Sequence, residues 1–185
     1  SEMCIRDRYN AMNKGIRLAK GKIIGLVNSD DWLEPYALSF IAESFIDSNK
    51  IEECIYCGWV RFHYEDGKVN ILKTNEKRHK RYHKNIEMGV RHPATFVGRK
   101  VYALIGDFDE SFRIMADADF IFRCTEAKIP FFFINKILTN MSDGGVSNNV
   151  KSNIKVFCSE IKELCRKHAQ TKGCLLYTSP SPRDS

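Results

Sequence analysis

Ile23-Ile24-Gly25-Leu26-Val27-Asn28-Ser29-Asp30-Asp31-Trp32 is a short apolar run that ends in a carboxylate pair. Residues 22–27 have the length and branched apolar content of a buried strand, and residues 28–31 read as the turn at its carboxyl end. Ligand sites in open α/β sheets gather at the carboxyl ends of strands, so Asp30 and Asp31 stand where a ligand would sit. A hard divalent cation takes oxygen ligands, usually one or two carboxylates completed by phosphate oxygens and waters. The plainer reading is that one of the two caps the helix that Pro35 introduces. Both readings can hold together.

Outward from this run the chain alternates helical and strand patterns. Ala11, Met12, Ile16 and Ala19 share a helical face, with Gly21 as the stop. Leu38, Ile41, Phe45 and Ile46 predict the packed face of a helix ending near Asn49. Residues 53–64 and 68–73 read as two strands around the turn Glu65-Asp66-Gly67. A short strand is expected over residues 95–97 and a short helix over 100–105, stopped by Gly106. Asp117 is expected to cap a helix carrying Phe120, Ile121 and Cys124. Residues 130–134 form a strand pattern, Ser142 to Ser147 a loop, and Ile154, Phe157, Cys158, Ile161, Leu164 and Cys165 the stripe of a last helix. The fold class is α/β, a mixed sheet flanked by helices, with no internal repeat and no second domain boundary.

The 185 residues are enough for one domain with a core, and 43% hydrophobic against 28% charged residues fits a soluble globular chain. The longest apolar stretch, near Phe131-Phe132-Phe133-Ile134, is too short to span a bilayer. No secretory signal pattern opens the chain. Seven scattered cysteines suggest a reducing cytoplasm and no disulfide framework. Cys54 and Cys57 form a lone CxxC without a second ligand pair, so strand packing is the better account than zinc. Much of the net charge of +6 sits in Lys77-Arg78-His79-Lys80-Arg81-Tyr82-His83-Lys84. Such a run could meet nucleic acid, anionic lipid or a phosphorylated substrate, or be a solvated loop. Only Tyr82 interrupts it, which argues against a specific nucleic-acid partner.

The two ends read as non-native. Cys174-Leu175-Leu176-Tyr177-Thr178-Ser179 can be encoded by TGT-CTC-TTA-TAC-ACA-TCT. The reverse complement of that string, read from its third base, encodes Met-Cys-Ile-Arg-Asp, which is Met3 to Asp7. Residues 1–8 and 174–185 are therefore expected to be translated sequencing adapter around a domain at residues 9–173.

A second acidic cluster, Asp117-Ala118-Asp119, follows Gly106-Asp107-Phe108-Asp109-Glu110. Two acidic sites suit two jobs, one holding a cation and one accepting a proton within hydrogen-bond reach. From Tyr9 to about Asn148 the ordered segments resemble a family-two glycosyltransferase of the GT-A fold. Asn13-Lys14-Gly15-Ile16 with Ala19-Lys20-Gly21 resembles the helix before the metal strand. Asn28-Ser29-Asp30-Asp31-Trp32 resembles the DxD motif, and His92-Pro93-Ala94-Thr95-Phe96 the stretch leading to the acceptor. Ala116-Asp117-Ala118-Asp119-Phe120 falls where the family carries its Glu-Asp motif.

The resemblance implies a partial, Rossmann-like GT-A domain lacking the first nucleotide-binding βαβ unit. It implies Asp30 and Asp31 as ligands of a Mn or Mg ion, Asn28 with Asp30 on the donor side, and Asp117 as catalytic base. His92, Asp119 and Trp32 are expected on the acceptor side, and Gly144 and Gly145 in a closing loop. Asn28 stands where many members have Asp, and Ala116 replaces the usual Glu. The implied reaction moves a sugar from a nucleotide-sugar donor to a hydroxyl of a glycan or lipid-linked acceptor, with inversion, in cell-surface polysaccharide synthesis. The implied setting is cytoplasmic, with peripheral contact to an anionic inner membrane face. Two rivals remain open: a metal-dependent phosphoryl-transfer or hydrolytic enzyme, and a non-catalytic polyanion-binding protein.

Overall fold

Sheet pairing organises the computed structural model, which describes residues 3–44, 51–80, 89–143 and 150–168. The strands in chain order are β1 (Ile23–Gly25), β2 (Trp32–Leu33), β3 (Ile55–His63), β4 (Val69–Leu72), β5 (Thr95–Gly98) and β6 (Phe131–Ser142). Their order across the sheet is β1-β5-β3-β6-β2, with β4 paired to β3. β3 and β6 run parallel, and the other pairs are antiparallel.

β3 is the spine because both of its faces are apolar. Ile55 and Cys57 enter one core, and Cys54, Tyr56 and Val60 the other. That two-sided burial explains a nearly continuous apolar run instead of clean alternation. The register against β6 shifts between Cys57 and Val60, where a bulge bends the strand. Gly58 sits in this stretch, and a Cβ there would lie 2.4 Å from the Leu138 side chain. Cys54 and Cys57 are buried free thiols on opposite faces, and burial pushes the Cys57 thiol up to about 12.

The helices are α1 (Met3–Leu18), α2 (Ala37–Glu43), α3 (Glu76–Lys80), α4 (Arg99–Ile105), α5 (Ala116–Glu126) and α6 (Val150–His168). Tyr9 and Ile16 of α1, Val101 and Tyr102 of α4, Phe120 and Ile121 of α5 and Leu164 of α6 fill the larger core. Ala37 and Ile41 of α2 close the smaller one on the opposite face. Tyr102 stacks on Phe120 at 5.0 Å, and Phe108 meets Phe120 at 5.3 Å, so α4 and α5 lock through aromatic rings. Gly106 ends α4 at φ +87°, where its N–H reaches the Tyr102 carbonyl at 2.8 Å.

Several expected boundaries move. α1 ends at Leu18 instead of Gly21. α2 begins at Ala37 rather than Pro35, no acidic side chain caps it, and Leu38 is exposed. Residues 45–50, with Phe45 and Ile46, lie outside the described residues. β2 escaped the sequence reading because two residues carry no periodicity; Trp32 and Leu33 become a strand only by pairing with Asn140 and Thr139. β6 runs to Ser142, well past the expected Ile134. The basic run does not open as a loop: Lys77 to Lys80 belong to α3, and residues 81–84 lie outside the described residues. Asp117 does not cap α5, whose N-cap is Met115. On α6 the expected Ile154 and Cys158 are exposed, whereas Glu160 and His168 are buried with Leu164.

Candidate active site

A cavity of about 240 Å³ opens where the chain elements converge. Tyr9 comes from α1, Asn28 from the turn after β1, Val60 from β3, His92 from the 3-10 turn His92–Ala94, and Asp117 from the first turn of α5. Residues 19 to 108 positions apart thus share one wall, which the sheet and its two cores make possible. Asn28, His92 and Asp117 line it; Asp30, Asp31, Asp119 and Trp32 do not.

The turn after β1 orders its carboxylates unequally. Asp30 is exposed and its carbonyl accepts the Ser142 hydroxyl at 2.7 Å. Asp31 is buried, and its Oδ2 accepts the Asn28 amide at 2.7 Å while its Oδ1 is buried without a partner. Burial raises the Asp31 pKa and the Asp30 charge adds to that, against the Asn28 hydrogen bond. An amide at position 28 thus gives a donor where a third carboxylate would repel. Among the described residues no group of three or more His, Cys, Asp or Glu side chains could hold a metal. The orphaned Asp31 oxygen beside the open Asp30 carboxylate nevertheless fits a cation that takes its remaining ligands from phosphate and water.

Asp117 and Asp119 have separate fates. Asp117 is half-buried, lines the cavity, and accepts the Ala118 N–H at 2.9 Å. Asp119, two positions on, is fully buried and faces the other way. It accepts from Arg123 at 2.7 Å, Lys167 at 2.7 Å and His168 at 2.9 Å. Burial works against its ionisation, but the hydrogen bonds from His168, Lys167 and Arg123 hold its carboxyl well below the usual range. The expected acceptor-side position of Asp119 is therefore replaced by an ion-pair knot between α5 and α6. His168 also reaches Glu126 at 3.0 Å and stacks on Phe122 at 5.0 Å.

His92 is half-buried and packs edge-on to Phe108 at 5.7 Å. Burial lowers its pKa, while the charges of Asp117 and Asp31 both oppose that shift. The imidazole thus feels the two acidic sites at once. Trp32 is 48% exposed and lies against His63 at 5.1 Å, outside the cavity. Gly144 and Gly145 lie outside the described residues.

The sequence reading missed Tyr9, Arg91 and Glu160. The Tyr9 hydroxyl donates to the Ile114 carbonyl at 2.6 Å and helps hold the approach to α5. Burial, followed by the Asp117 charge, keeps that phenol protonated. Glu160 accepts the backbone N–H groups of Arg113, Ile114 and Met115. Its signal was available as an acid four positions before Leu164, on the apolar stripe of α6.

The profile of glycosyl transferase family 2 matches residues 6–104. The chain is 26% identical over 148 residues to a PGL/p-HBAD biosynthesis glycosyltransferase of Mycobacterium bovis (strain BCG / Pasteur 1173P2), covering 77% of this chain and 54% of that protein. The same figures hold for a protein of that description from Mycobacterium tuberculosis (strain ATCC 25177 / H37Ra). The chain spans about half the length of these curated relatives. Among solved structures, S. aureus TarS shares the fold at a TM-score of 0.55 and 13% identity, over 89% of this chain and 28% of that one. TarS 1-349 in complex with UDP aligns at a TM-score of 0.50 and 14% identity, over 87% and 45%. With the mixed sheet, the Asn28–Asp31 turn and the family profile covering more than half of its residues, this chain belongs to glycosyl transferase family 2.

Proposed function

We propose that the chain is the catalytic part of a nucleotide-sugar-dependent glycosyltransferase, acting by single displacement with inversion. The observation that carries this reading is the convergence of Asn28, His92 and Asp117 on one cavity in a family 2 chain. Asp117 takes the proton of an acceptor hydroxyl. The freed oxygen forms a bond to the anomeric carbon as the bond from that carbon to the diphosphate breaks. The nucleoside diphosphate leaves with the electron pair. A Mn or Mg ion held by Asp30 and Asp31 would supply charge neutralisation for that leaving group. Asn28 orients Asp31 for this role by its 2.7 Å hydrogen bond. Burial lowers the His92 pKa, and Asp117 is the carboxylate that lines the cavity within reach of an acceptor. Asp119 is unsuited to the role because three cationic groups already hold its carboxylate.

The UDP in the complex of TarS 1-349 supports a nucleotide-sugar donor here as well. A glycan or lipid-linked acceptor and a part in cell-surface polysaccharide synthesis follow from the family relation. Peripheral contact with an anionic membrane at the cytoplasmic face rests on the exposed Lys77 and Lys80 of α3. No helix among the described residues is long and apolar enough to cross a membrane.

The deciding experiment uses the full-length protein with Mn and a panel of radiolabelled nucleotide sugars. Mn-dependent formation of a glycosylated product, abolished by Asp30→Asn in a folded variant, is expected. Release of nucleotide or phosphate with no sugar-bearing product would replace this reading with a hydrolytic one.

A further inference from the structure

Arg91 lies in the wall of the cavity and has no counter-ion among the described residues. It precedes the turn His92–Ala94, and its carbonyl is fixed by the Ala94 N–H at 2.9 Å and the Thr95 hydroxyl at 2.8 Å. The backbone at this point is therefore held, and the side chain is half-buried along the cavity. Its Nε is buried without a hydrogen-bond partner. Among the described residues Arg17, Arg61, Arg123 and Arg166 each pair with a carboxylate. Arg8, Arg91, Arg99 and Arg113 do not and share a buried, unpartnered Nε, and of these four Arg8 and Arg91 line the cavity. The charged group nearest in effect is another cation, Arg78, which together with burial disfavours the Arg91 charge.

Drawing a guanidinium from water without a partner is unfavourable, and its planar fork matches the two oxygens of a phosphate or carboxylate. Arg91 and Asp117 line the same cavity and are not paired to each other, so the fork is open to a ligand and Asp117 is open to a hydroxyl. Of the turn that carries Asp30 and Asp31, the carboxylates suited to a donor's cation, Asn28 lines this cavity and the two carboxylates do not, whereas Asp117 lines it together with Arg91. Arg8 also lines it, but its Nη2 already donates to the Tyr9 hydroxyl at 2.8 Å. We propose that Arg91 reads an oxyanion on the acceptor, so that the acceptor carries a phosphate or carboxylate near the hydroxyl served by Asp117. The acceptor assignment rests on the reading of Asp117 as base; the oxyanion site itself does not.

The test is an amide NMR titration of this chain, at constant ionic strength, with glucose 6-phosphate, methyl glucoside and UDP in separate arms. Glucose 6-phosphate is expected to shift the amides of residues 90–94 and 117, binding roughly tenfold or more tighter than methyl glucoside. Arg91→Gln should remove that preference with the rest of the spectrum unchanged. Should Arg91→Gln fail to fold, Arg91→Lys carries the test and should retain a weakened preference, since a point charge replaces a fork. Equal binding of the neutral glucoside, or a preference that survives in Arg91→Gln, would overturn the proposal. Shifts confined to the exposed Lys77 and Lys80 would do the same, as an adventitious ion only. UDP binding at residues 90–94 in place of glucose 6-phosphate would assign the site to the donor and overturn the acceptor assignment. Because no sugar transfer is read, a failed titration leaves the proposed reaction standing, and a failed transfer assay leaves the oxyanion site standing.

Discussion

The Glu160 carboxylate accepts the backbone N–H of Arg113 at 2.6 Å, across 47 residues of chain. Its second oxygen accepts the N–H groups of Ile114 and Met115 at 2.9 and 3.0 Å. One side chain of α6 thereby satisfies three donors in the turn that delivers Asp117. From the other side the Tyr9 hydroxyl holds the Ile114 carbonyl. The position of Asp117 is set by two helices that flank it in space and lie far from it in sequence.

Glu160→Ala leaves these three N–H groups without their acceptor. The expected cost is about 2–4 kcal/mol of stability, since partly buried donors lose charge-assisted bonds. Turnover in the full-length protein should fall while donor KM holds. Urea unfolding together with a kcat and KM comparison checks both parts. Full turnover at unchanged stability would mean that the turn is held by its own backbone.

Asp117→Asn and Asp119→Asn should separate chemistry from stability. The first is expected to lower turnover roughly 10²–10⁴-fold with little change in melting temperature, the usual size of a general-base effect. The second is expected to destabilise the α5–α6 contact, because it removes the anion held by Arg123, Lys167 and His168. Paired melting curves and initial rates distinguish the two. A dead and stable Asp119→Asn beside an active Asp117→Asn would move the base by two positions.

The same knot predicts the pH dependence of stability. Asp119 has a lowered folded pKa, so its contribution is present above the ordinary value of 3.8 and is lost as pH falls through the lowered value. His168 is the opposite case. Burial lowers its pKa, but hydrogen bonds to Asp119 and Glu126 outweigh that and raise it above 6.5. Its contribution is therefore full below 6.5 and is lost as pH rises through the raised value. The α5–α6 contact should be strongest between about pH 4 and 6.5. Urea midpoints against pH should show the alkaline decline in the wild type and its loss in His168→Phe. A decline of equal size in that variant would assign it to another group.

Asn28→Asp tests the arrangement of the β1 turn. The substitution exchanges a 2.7 Å hydrogen bond to Asp31 for a third carboxylate in the turn, directly against that of Asp31. Without metal, the melting temperature should drop by roughly 2–4 °C for each kcal/mol of repulsion. Mn should restore it by more than it stabilises the wild type. A Mn effect equal in both proteins would argue against a cation at this turn.

What was legible in the sequence follows from local physics. The apolar run ending in Asp30 and Asp31 placed a strand and a turn, but the buried strand expected over residues 22–27 is a three-residue edge strand, Ile23–Gly25, with only Ile24 buried and Val27 exposed, because β5 is its one strand partner. Glu65-Asp66-Gly67 fixed the β3–β4 hairpin, and Gly106 the end of α4, because each needs only its own few residues. The ordered motifs carried the family, which the profile over residues 6–104 bears out. Asp117 and Asp119 were not separable at that level. Two positions apart on one helix, their side chains leave it on different sides, but which side meets the cavity is decided by what packs against the helix.

Tertiary structure alone decided the rest. β2 exists because Trp32 and Leu33 find β6, a pairing across 106 residues that no local pattern announces. Glu160 and His168 are charged residues outside the apolar stripe expected on α6, yet they are buried because the turn before α5 offers N–H groups and Asp119 offers a carboxylate. Arg91 gained meaning only when the chain brought it to the same cavity as Asp117 and left its Nε without a hydrogen-bond partner. The sequence by itself determined which groups could bind a cation or take a proton, since that is a property of the side chains. Which of them face one another was decided by packing, because long-range contacts between the two cores, and not spacing along the chain, fix the direction of each side chain.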